Sequence, residues 1–248
     1  MREENAIITY NDPKSPVSEA YRVLRTNIQF SSIDKPIKSI VITSTGPMEG
    51  KTTTVVNLAV VFAQAGSRVL LIDADLRKPK IHKYFKISNN RGLTNYLKSH
   101  TELMDTIRHD IIKNLHVLTS GIIPPNPSEL LNSNAMKNFL NEVKEEYDLV
   151  LFDSPPVGSV TDASIISAYV DGTVLVVRSG KVEVDAVQKA KEALENVNAN
   201  ILGVVLNNLD KKILGNNYYY YQYYYGDDSS GKKRRRRSKA VKRATFDD

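Results

Sequence analysis

Three features are missing from this 248-residue sequence, and each absence excludes a class of protein. There is no cysteine, which excludes disulfide frameworks and thiolate metal sites. There is no run of 18 apolar residues, so no segment is predicted to span a membrane as a helix. The N-terminal stretch MREENAIITYNDPK lacks the apolar core of a signal peptide, which favours a cytoplasmic location.

The chain before residue 226 also lacks a large positive net charge. The net charge is +6, but residues 226–248 carry nine Lys and Arg against four Asp, a net of +5, which leaves only +1 for the rest of the chain. A domain that binds nucleic acid needs a basic face of its own. We therefore expect no nucleic-acid partner.

Short apolar segments alternate with helical patterns along the chain. Six of these segments are rich in β-branched residues and apolar on both faces, as expected of strands in a parallel sheet that is covered on both sides. The predicted strands are 38–44, 68–73, 115–120, 147–153, 172–179 and 201–208. The predicted helices are 18–30, 50–65, 133–146 and 183–197. The alternation predicts an α/β fold with a mostly parallel central sheet and helices on both faces.

The pattern of strands and helices is confined to residues 1–210, which are predicted to form one domain. Past that point the composition shifts to Asn, Gly, Tyr, Ser, Lys and Arg. Such a composition buries too little apolar surface to order a chain. We expect residues 211–248 to form a flexible tail.

The stretch VITSTGPMEGKTT lies where the first predicted strand ends and a buried helix begins. Gly50-Lys51-Thr52 matches the end of the P-loop pattern G-x-x-x-x-G-K-[ST], although its first glycine falls on Thr45 and Gly46 comes one position later. Backbone N–H groups of such a loop converge on phosphate oxygens at a helix N-terminus. Lys51 is predicted to reach the β- and γ-phosphates, and the Thr52 hydroxyl to ligate Mg²⁺. The predicted nucleotide-binding residues of the loop are Gly46, Glu49, Gly50, Lys51, Thr52 and Thr53.

Carboxylates follow two more predicted strands. Asp73 and Asp75 come at the end of the second strand, and Asp153 at the end of the fourth. The ligand crevice of an open α/β sheet lies at the carboxyl ends of its strands, so all three are expected to face the loop. Mg²⁺ takes one or two carboxylates plus phosphates and waters, which leaves a carboxylate to accept a proton from an attacking hydroxyl. The predicted metal ligands are Thr52, Asp75 and Asp153, and the sequence leaves open which Asp is base and which is ligand. A lone strand-end Asp is more often a helix cap or a turn residue.

These motifs together resemble the bacterial tyrosine kinases that regulate capsule and exopolysaccharide synthesis, a branch of the P-loop superfamily. The resemblance rests on the loop motif, on Asp73-Ala74-Asp75-Leu76-Arg77, on Asp153-Ser154-Pro155-Pro156, on GIIPPNPSELL at 121–131, and on Glu-x-x-Arg-x-x-Arg at Glu19, Arg22 and Arg25. A C-terminal tyrosine cluster completes it. The H-R-D and D-F-G motifs of eukaryotic kinases are absent from the sequence.

Two other functions compete with this resemblance. Partition-type ATPases of the same superfamily carry an extra Lys five residues before the main one, where this chain has Gly46. A non-catalytic adaptor that binds nucleotide only to assemble would not need the full set of charged residues that this chain keeps. The resemblance therefore predicts an ATP-dependent protein-tyrosine kinase, with ATP and Mg²⁺ as its cofactors.

The resemblance also implies residue roles. It assigns Lys51, Asp73, Asp75 and Asp153 to catalysis, and it makes Arg77 a candidate for stabilising charge or for holding Asp75. Asn207 resembles the residue that contacts the purine base, although Asn is also common at the end of a strand. The N-terminal helix would carry Glu19, Arg22 and Arg25 on one face, against a neighbouring protomer in a ring. The alternative for that face is a local Glu–Arg ion pair.

Seven of the thirteen tyrosines lie within residues 218–225. The resemblance makes them substrates, phosphorylated in trans by a neighbour in the ring. The predicted acceptors are Tyr218, Tyr219, Tyr220, Tyr221, Tyr223, Tyr224 and Tyr225. Each phosphate adds about −1.5 to −2 charges, so seven add roughly −10 to −14 and overturn the +5 of the tail. Repulsion among these charges is a physical reason for a modified ring to come apart.

The expected partners also follow from the resemblance. They are a separate transmembrane activator of the polysaccharide co-polymerase type, which would recruit the kinase to the inner face of the membrane, and a cognate tyrosine phosphatase. The basic run at 231–243 is open to three interpretations: a solvated tail, a contact with anionic lipid, or pairing with the phosphotyrosines upstream.

Overall fold

The computed structural model describes residues 7–31, 36–99 and 102–209. The predicted tail, with its tyrosine cluster and basic run, lies outside the described residues. The described strands are β1 (Ser39–Ser44), β2 (Val69–Asp73), β3 (Arg108–Ile112), β4 (Leu115–Leu118), β5 (Leu149–Asp153), β6 (Gly172–Arg178) and β7 (Ile201–Asn207). The described helices are α1 (Ile8–Asn11), α2 (Pro16–Phe30), α3 (Lys51–Gln64), α4 (Ile81–Phe85), α5 (Leu93–Ser99), α6 (Leu103–Thr106), α7 (Pro127–Leu131), α8 (Asn134–Glu146), α9 (Asp162–Ser167) and α10 (Val184–Glu195).

The described strands form one sheet in the order β3-β4-β2-β5-β1-β6-β7. All neighbouring pairs are parallel except β3 with β4, so the predicted α/β fold with a mostly parallel sheet is confirmed. The six predicted strands are present within two residues at each end. The sequence analysis missed β3, because its sequence RHDII begins with three polar residues and lacks the apolar run that identified the others.

Alternate residues of the inner strands pack against helices on opposite faces of the sheet. Ile40 and Ile42 of β1 join a core with α3, whereas Val41 joins a second core with α8. Edge strand β7 does not follow this rule, since Val204 is 57% and Leu206 is 52% exposed. The prediction that segment 201–208 is covered on both faces is therefore wrong.

Local sequence signals set the ends of two predicted helices, α2 and α3. The N-terminal helix begins at Pro16, two residues earlier than predicted, because Ser15 caps it through a hydrogen bond from the Ser18 N–H. Helix α3 ends at Gln64, and Gly66 beyond it adopts a φ of +101°, the left-handed conformation typical of a residue that terminates a helix. No helix in the described part of the chain is both long and apolar enough to cross a membrane.

Candidate active site

The predicted phosphate loop connects β1 to α3 at the carboxyl edge of the sheet. Gly50 lies at its end with a φ of +95°, and a Cβ there would lie 2.0 Å from Asn207 Nδ2. Glycine is therefore required at this position for both conformation and space. Asn207, at the end of β7, donates a 2.9 Å hydrogen bond from Nδ2 to the Glu49 carbonyl. In this structure Asn207 thus supports the loop, a contact across 158 positions that the sequence analysis did not foresee.

Glu49 lies inside the loop. Its Oε1 accepts hydrogen bonds from the Thr45 hydroxyl and from the Gly46 N–H. Its side chain is buried, and Oε2 has no hydrogen-bond partner within the described residues. Backbone N–H groups of such loops are the groups that bind phosphate. Glu49 therefore competes for one donor that a nucleotide would use.

Lys51, the first residue of α3, lies between two of the predicted carboxylates. Its Nζ is 3.1 Å from Asp75 Oδ2 and 3.7 Å from Asp153 Oδ1. Burial alone would lower the pKa of Lys51, but the charges of Asp153 and Asp75 outweigh it, and the pKa is raised. Lys51 is therefore a buried cation at the start of the helix.

The three carboxylates meet at one edge, as predicted, but they have different partners. Asp73 and Asp153 are aligned across neighbouring strands β2 and β5. Asp73 Oδ2 accepts from the N–H groups of Lys80 and Ile81 at the start of α4, so Asp73 also has the helix-capping role that the sequence left open. Asp75 lies nearer the surface, where its Oδ1 accepts from the Lys78 N–H.

Asp153 is held by the P-loop helix itself. Its Oδ2 accepts a 2.6 Å hydrogen bond from the Thr52 hydroxyl. Asp153 Oδ1 and Asp73 Oδ1 are buried, and neither has a hydrogen-bond partner within the described residues. Burial raises the pKa of both carboxyls. The neighbouring charge of Asp153 raises the pKa of Asp73 further, whereas the charge of Lys51 lowers the pKa of Asp153 and so opposes the effect of burial there. A nearby cation would therefore stabilise the ionised form of each carboxyl group.

The oxygens at this edge fit a magnesium ion that is shared with a nucleotide. Within the described residues no three acidic, His or Cys side chains converge closely enough to hold a metal alone. Mg²⁺ does not need such a cage, because it keeps several waters and takes the rest of its ligands from one or two carboxylates and the substrate phosphates. Asp153 Oδ1 accepts no hydrogen bond within the described residues and lies 3.7 Å from Lys51 Nζ, so together with the Thr52 hydroxyl it provides that kind of incomplete ligand set.

A cleft of about 310 Å³ opens beside the loop. Asp75 and Lys51 line it, together with three residues that the sequence analysis missed: Lys78, Lys80 and Tyr84. The Tyr84 hydroxyl lies 2.7 Å from the Thr53 hydroxyl. The two additional lysines follow Asp75 in the sequence RKPK, so a basic run directly after the predicted carboxylate motif was the available signal. The cleft joins cationic side chains to a carboxylate, which suits a phosphorylated ligand.

Arg77 has a partner that the sequence did not indicate. Its guanidinium makes a bidentate ion pair with Asp162, with Nε 2.8 Å from Oδ2 and Nη2 3.0 Å from Oδ1. Nη2 also donates a hydrogen bond to the Ser128 hydroxyl. Asp162 begins α9 and is fully buried. Within the described residues the hydrogen bonds of Arg77 go to α7 and α9 and not to Asp75, so a role in holding Asp75 stays a prediction. The role of Arg77 in stabilising charge stays a prediction.

The predicted interface residues make contacts within their own chain. Arg22 pairs with Glu19 at 2.7 Å, which is the local ion pair given above as the alternative, and donates to the Pro13 carbonyl. Arg25 donates to the Val61 carbonyl of α3 and leaves a buried Nε without a partner in the described part of the chain. Their role between protomers stays a prediction.

Comparisons with known proteins agree with this geometry. An AAA domain model matches residues 37–209. The chain is 50% identical over 206 residues to tyrosine-protein kinase YwqD of Bacillus subtilis (strain 168), covering 83% of this chain and 87% of that protein. Among solved structures it is similar to the chimerical protein CapA2B2, with a TM-score of 0.81 and 44% identity over 85% of this chain and 93% of the other. The kinase domain of the Escherichia coli tyrosine kinase ETK gives a TM-score of 0.80 and 37% identity, over 83% of this chain and 81% of the other.

Proposed function

This chain belongs to the bacterial tyrosine kinase family, and from that membership we propose that it transfers the γ-phosphoryl group of ATP to tyrosine hydroxyls. The observation that carries the proposal is the placement of Lys51 between Asp75 and Asp153, with Thr52 bound to Asp153. This arrangement puts one buried cation, one hydroxyl and several carboxylates at the start of the P-loop helix. Those are the groups that phosphoryl transfer requires.

The transfer step makes limited demands on the protein. The tyrosine oxygen forms a bond to the γ-phosphorus, the bond from that phosphorus to the bridging oxygen breaks, and ADP leaves with the electron pair. Lys51 neutralises charge that develops on the phosphate oxygens, as positioned cations do in such transition states. Lys78 and Lys80, which line the same cleft, add to the positive potential there.

We assign the magnesium site to Thr52 and Asp153, which are already in contact. When bound, the ion would supply Lewis-acid charge neutralisation between the β- and γ-phosphates. This assignment narrows the three-residue ligand set expected from the sequence, because Asp75 lines the cleft and does not contact the Thr52 hydroxyl as Asp153 does.

Asp75 is the best-placed acceptor for the tyrosine proton. It is the carboxylate of the three that lines the cleft, whereas Asp73 and Asp153 are fully buried. A base must reach the proton that it removes before its pKa matters. Asp73 then acts as a positioning residue, since its two backbone hydrogen bonds hold the segment that carries Lys80.

The acceptor tyrosines and the partners are proposed from the sequence. The seven tyrosines of 218–225 are the main acceptors and are modified in trans within a ring. The kinase works beside a separate transmembrane activator on the inner face of the membrane, regulates capsular or exopolysaccharide synthesis, and is reset by a tyrosine phosphatase. The similarity to the chimerical protein CapA2B2 supports a pairing with a second protein, because a chimera joins parts of two proteins.

The test is to incubate the chain with Mg·ATP and to map phosphotyrosine by mass spectrometry. We expect phosphate on 218–225, and very little in a variant in which all seven tyrosines are replaced by Phe, which keeps the rings but removes the acceptor oxygens. ATP binding should persist in that variant, because Lys51 and the three carboxylates are unchanged. The seven-Phe oligomer should also stay assembled in ATP, because its charge cannot reverse.

Other outcomes would favour the competing functions. ATP hydrolysis without phosphotyrosine would support a partition-type ATPase, and nucleotide binding with neither product would support an adaptor. Phosphotyrosine at the parental level in the seven-Phe variant would refute the tail as the main substrate while leaving the kinase activity in place.

A further inference from the structure

The loop between β4 and α7, residues 119–126, carries two neighbouring aliphatic side chains that face solvent. Ile122 is 63% and Ile123 is 58% exposed, whereas Gly121 and Pro124 on either side of this exposed pair are buried. The loop contains no charged residue. Apolar side chains scattered singly over a surface are ordinary, but grouped ones usually mark an interaction site. The exposed pair therefore suits a partner that is itself apolar and uncharged.

The backbone around the exposed pair is fixed. Gly121 donates its N–H to Asn89 Oδ1, and its carbonyl accepts from Asn89 Nδ2, both at 3.1 Å. Gly121 has a φ of +76°, and a Cβ there would lie 2.3 Å from Asn95 Oδ1. Pro124 and Pro125 follow the pair, and a proline holds the residue before it in an extended conformation. The two isoleucines thus lie on a stiff support, which lowers the entropy cost of binding a partner.

Both ends of the loop are tied to the segment that carries Asp75. At one end, Leu118 of β4 is aligned with Ile72 of β2, three residues before Asp75. At the other end, the Ser128 hydroxyl of α7 accepts a 3.1 Å hydrogen bond from Arg77, two residues after Asp75. The exposed pair follows Leu118 by four and five residues, a reach of at most about 14–18 Å. These ties keep the pair near the carboxylate that we assign as proton acceptor.

We propose that the exposed pair docks the tyrosine cluster, residues 218–225, of a second copy of this chain. One tyrosine of the cluster reacts at Asp75 while the rings of its neighbours pack on Ile122 and Ile123. The inference rests on the proposed function, because it takes that cluster as the acceptor. An extended chain advances about 3.3 Å per residue, so tyrosines two to five places from the reacting one lie about 7–17 Å from it. Those rings therefore reach as far as the exposed pair.

The chemistry of the two segments is complementary. Like the loop, the tyrosine cluster at 218–225 contains no charged residue. Tyrosine gives a large and rigid contact area at a low cost in side-chain entropy, which is why it is common in binding surfaces. An aliphatic pair distinguishes rings from small side chains but not one tyrosine from the next. The cluster therefore has a second use, because the rings that are not reacting anchor the one that is.

The experiment measures binding of a labelled synthetic peptide of residues 216–230 to the full chain by fluorescence anisotropy, without ATP. The chain carries Ser at the seven tyrosine positions of its own 218–225, so that its own cluster does not compete. We expect Ile122→Ser with Ile123→Ser to weaken binding at least about tenfold, as when an interface contact is removed. The melting temperature should not change, because both side chains are exposed.

A matched control and two further peptides show what the exposed pair recognises. Val184→Ser removes a similarly exposed aliphatic side chain at the start of α10 and should leave peptide binding unchanged. A peptide with Phe in place of the seven tyrosines should bind like the tyrosine peptide, because the rings remain, and a peptide with Ser should bind at least about tenfold more weakly. That difference between the Phe and Ser peptides should disappear in the chain that carries Ile122→Ser and Ile123→Ser.

Two results would overturn the proposal. One is equal affinity for the tyrosine peptide with and without the two isoleucines, including the case in which their replacement changes only the self-association of the chain. The other is a tyrosine peptide that binds no better than the Ser peptide. A parent chain that forms no phosphotyrosine would instead count against the proposed function, because the binding measurement needs no transfer.

Discussion

The aspartates at the two ends of the central sheet have opposite hydrogen-bonding environments. At the amino end, Asp171 before β6 accepts hydrogen bonds from the Lys38 N–H, from the Ser39 N–H and hydroxyl, and from Lys144. At the carboxyl end, Asp73 and Asp153 each keep a buried oxygen that accepts no hydrogen bond within the described residues, although Asp153 Oδ1 lies 3.7 Å from Lys51 Nζ. The pKa of Asp171 is lowered, because the bonds from Lys144 and Ser39 outweigh its burial, whereas burial raises the pKa of the other two.

The difference separates a structural carboxylate from functional ones. A carboxylate that stabilises a fold has its lone pairs filled by donors from its own chain. A carboxylate that serves a reaction keeps bonding capacity for a metal ion, a proton or a substrate, and this costs stability. The comparison therefore predicts that substitutions at the carboxyl end reduce activity and that substitutions at the amino end reduce stability.

The largest expected effect is that of Lys51→Met. We expect phosphotyrosine formation to fall at least about 100-fold, as when a positioned transition-state charge is removed, with the fold intact. The matched control is Lys144→Met, which removes the cation at the other end and should lower the melting temperature while activity is retained. A Lys51→Met protein with the parental rate of autophosphorylation would contradict the assignment of the P-loop.

Asp153→Asn should separate activity from stability. The amide cannot replace the charge that we assign to the metal site, so we expect a loss of activity of about 100-fold or more. Its melting temperature should stay close to that of the parent, because the loss of a fully buried charge offsets the loss of the 3.7 Å ion pair with Lys51, which keeps its nearer partner Asp75. Thermal melts and phosphotyrosine assays on one preparation measure both. Full activity, or a marked fall in melting temperature, would contradict the comparison.

Asp171→Asn should reduce stability and leave activity unchanged, the converse of Asp153→Asn. An amide can accept at one oxygen only, so bonds to Lys144 or to the Ser39 segment are lost, at a cost of about 1–3 kcal/mol in the free energy of unfolding. Activity at a temperature below the melting transition should be unchanged. Denaturant unfolding measures the loss. Equal stability of variant and parent would show that the donors around Asp171 contribute little.

The smallest expected effect is the pH dependence of the stability difference between the parent and Asp171→Asn. Because the pKa of Asp171 is lowered in the folded state, its contribution is present above its unfolded value of about 3.9 and is lost as the pH falls through the folded value. The gap in melting temperature between parent and Asp171→Asn should be constant near neutral pH and shrink below about pH 4. A gap that stays constant down to pH 3 would contradict the lowered pKa.

The sequence by itself determined the elements that carry local signals. The apolar β-branched segments located six strands, the Gly50-Lys51-Thr52 motif located the phosphate loop, and the carboxylates after β2 and β5 were placed correctly at one edge. These predictions succeeded because hydrophobic period, helix termini and strand ends depend on neighbours in the chain. In a parallel sheet, the carboxyl ends of the strands then meet at one edge, whatever the order of the strands.

Only the tertiary structure decided which side chains are partners. Arg77 finds Asp162 across 85 positions, Asn207 finds Glu49 across 158, and His109 reaches Tyr147 through His116. The same holds for the antiparallel strand β3, which is defined by its pairing with β4 rather than by its own composition. Such contacts depend on how the strands are ordered and packed, and a hydrogen bond between distant residues leaves no periodic signal in the sequence that codes for it.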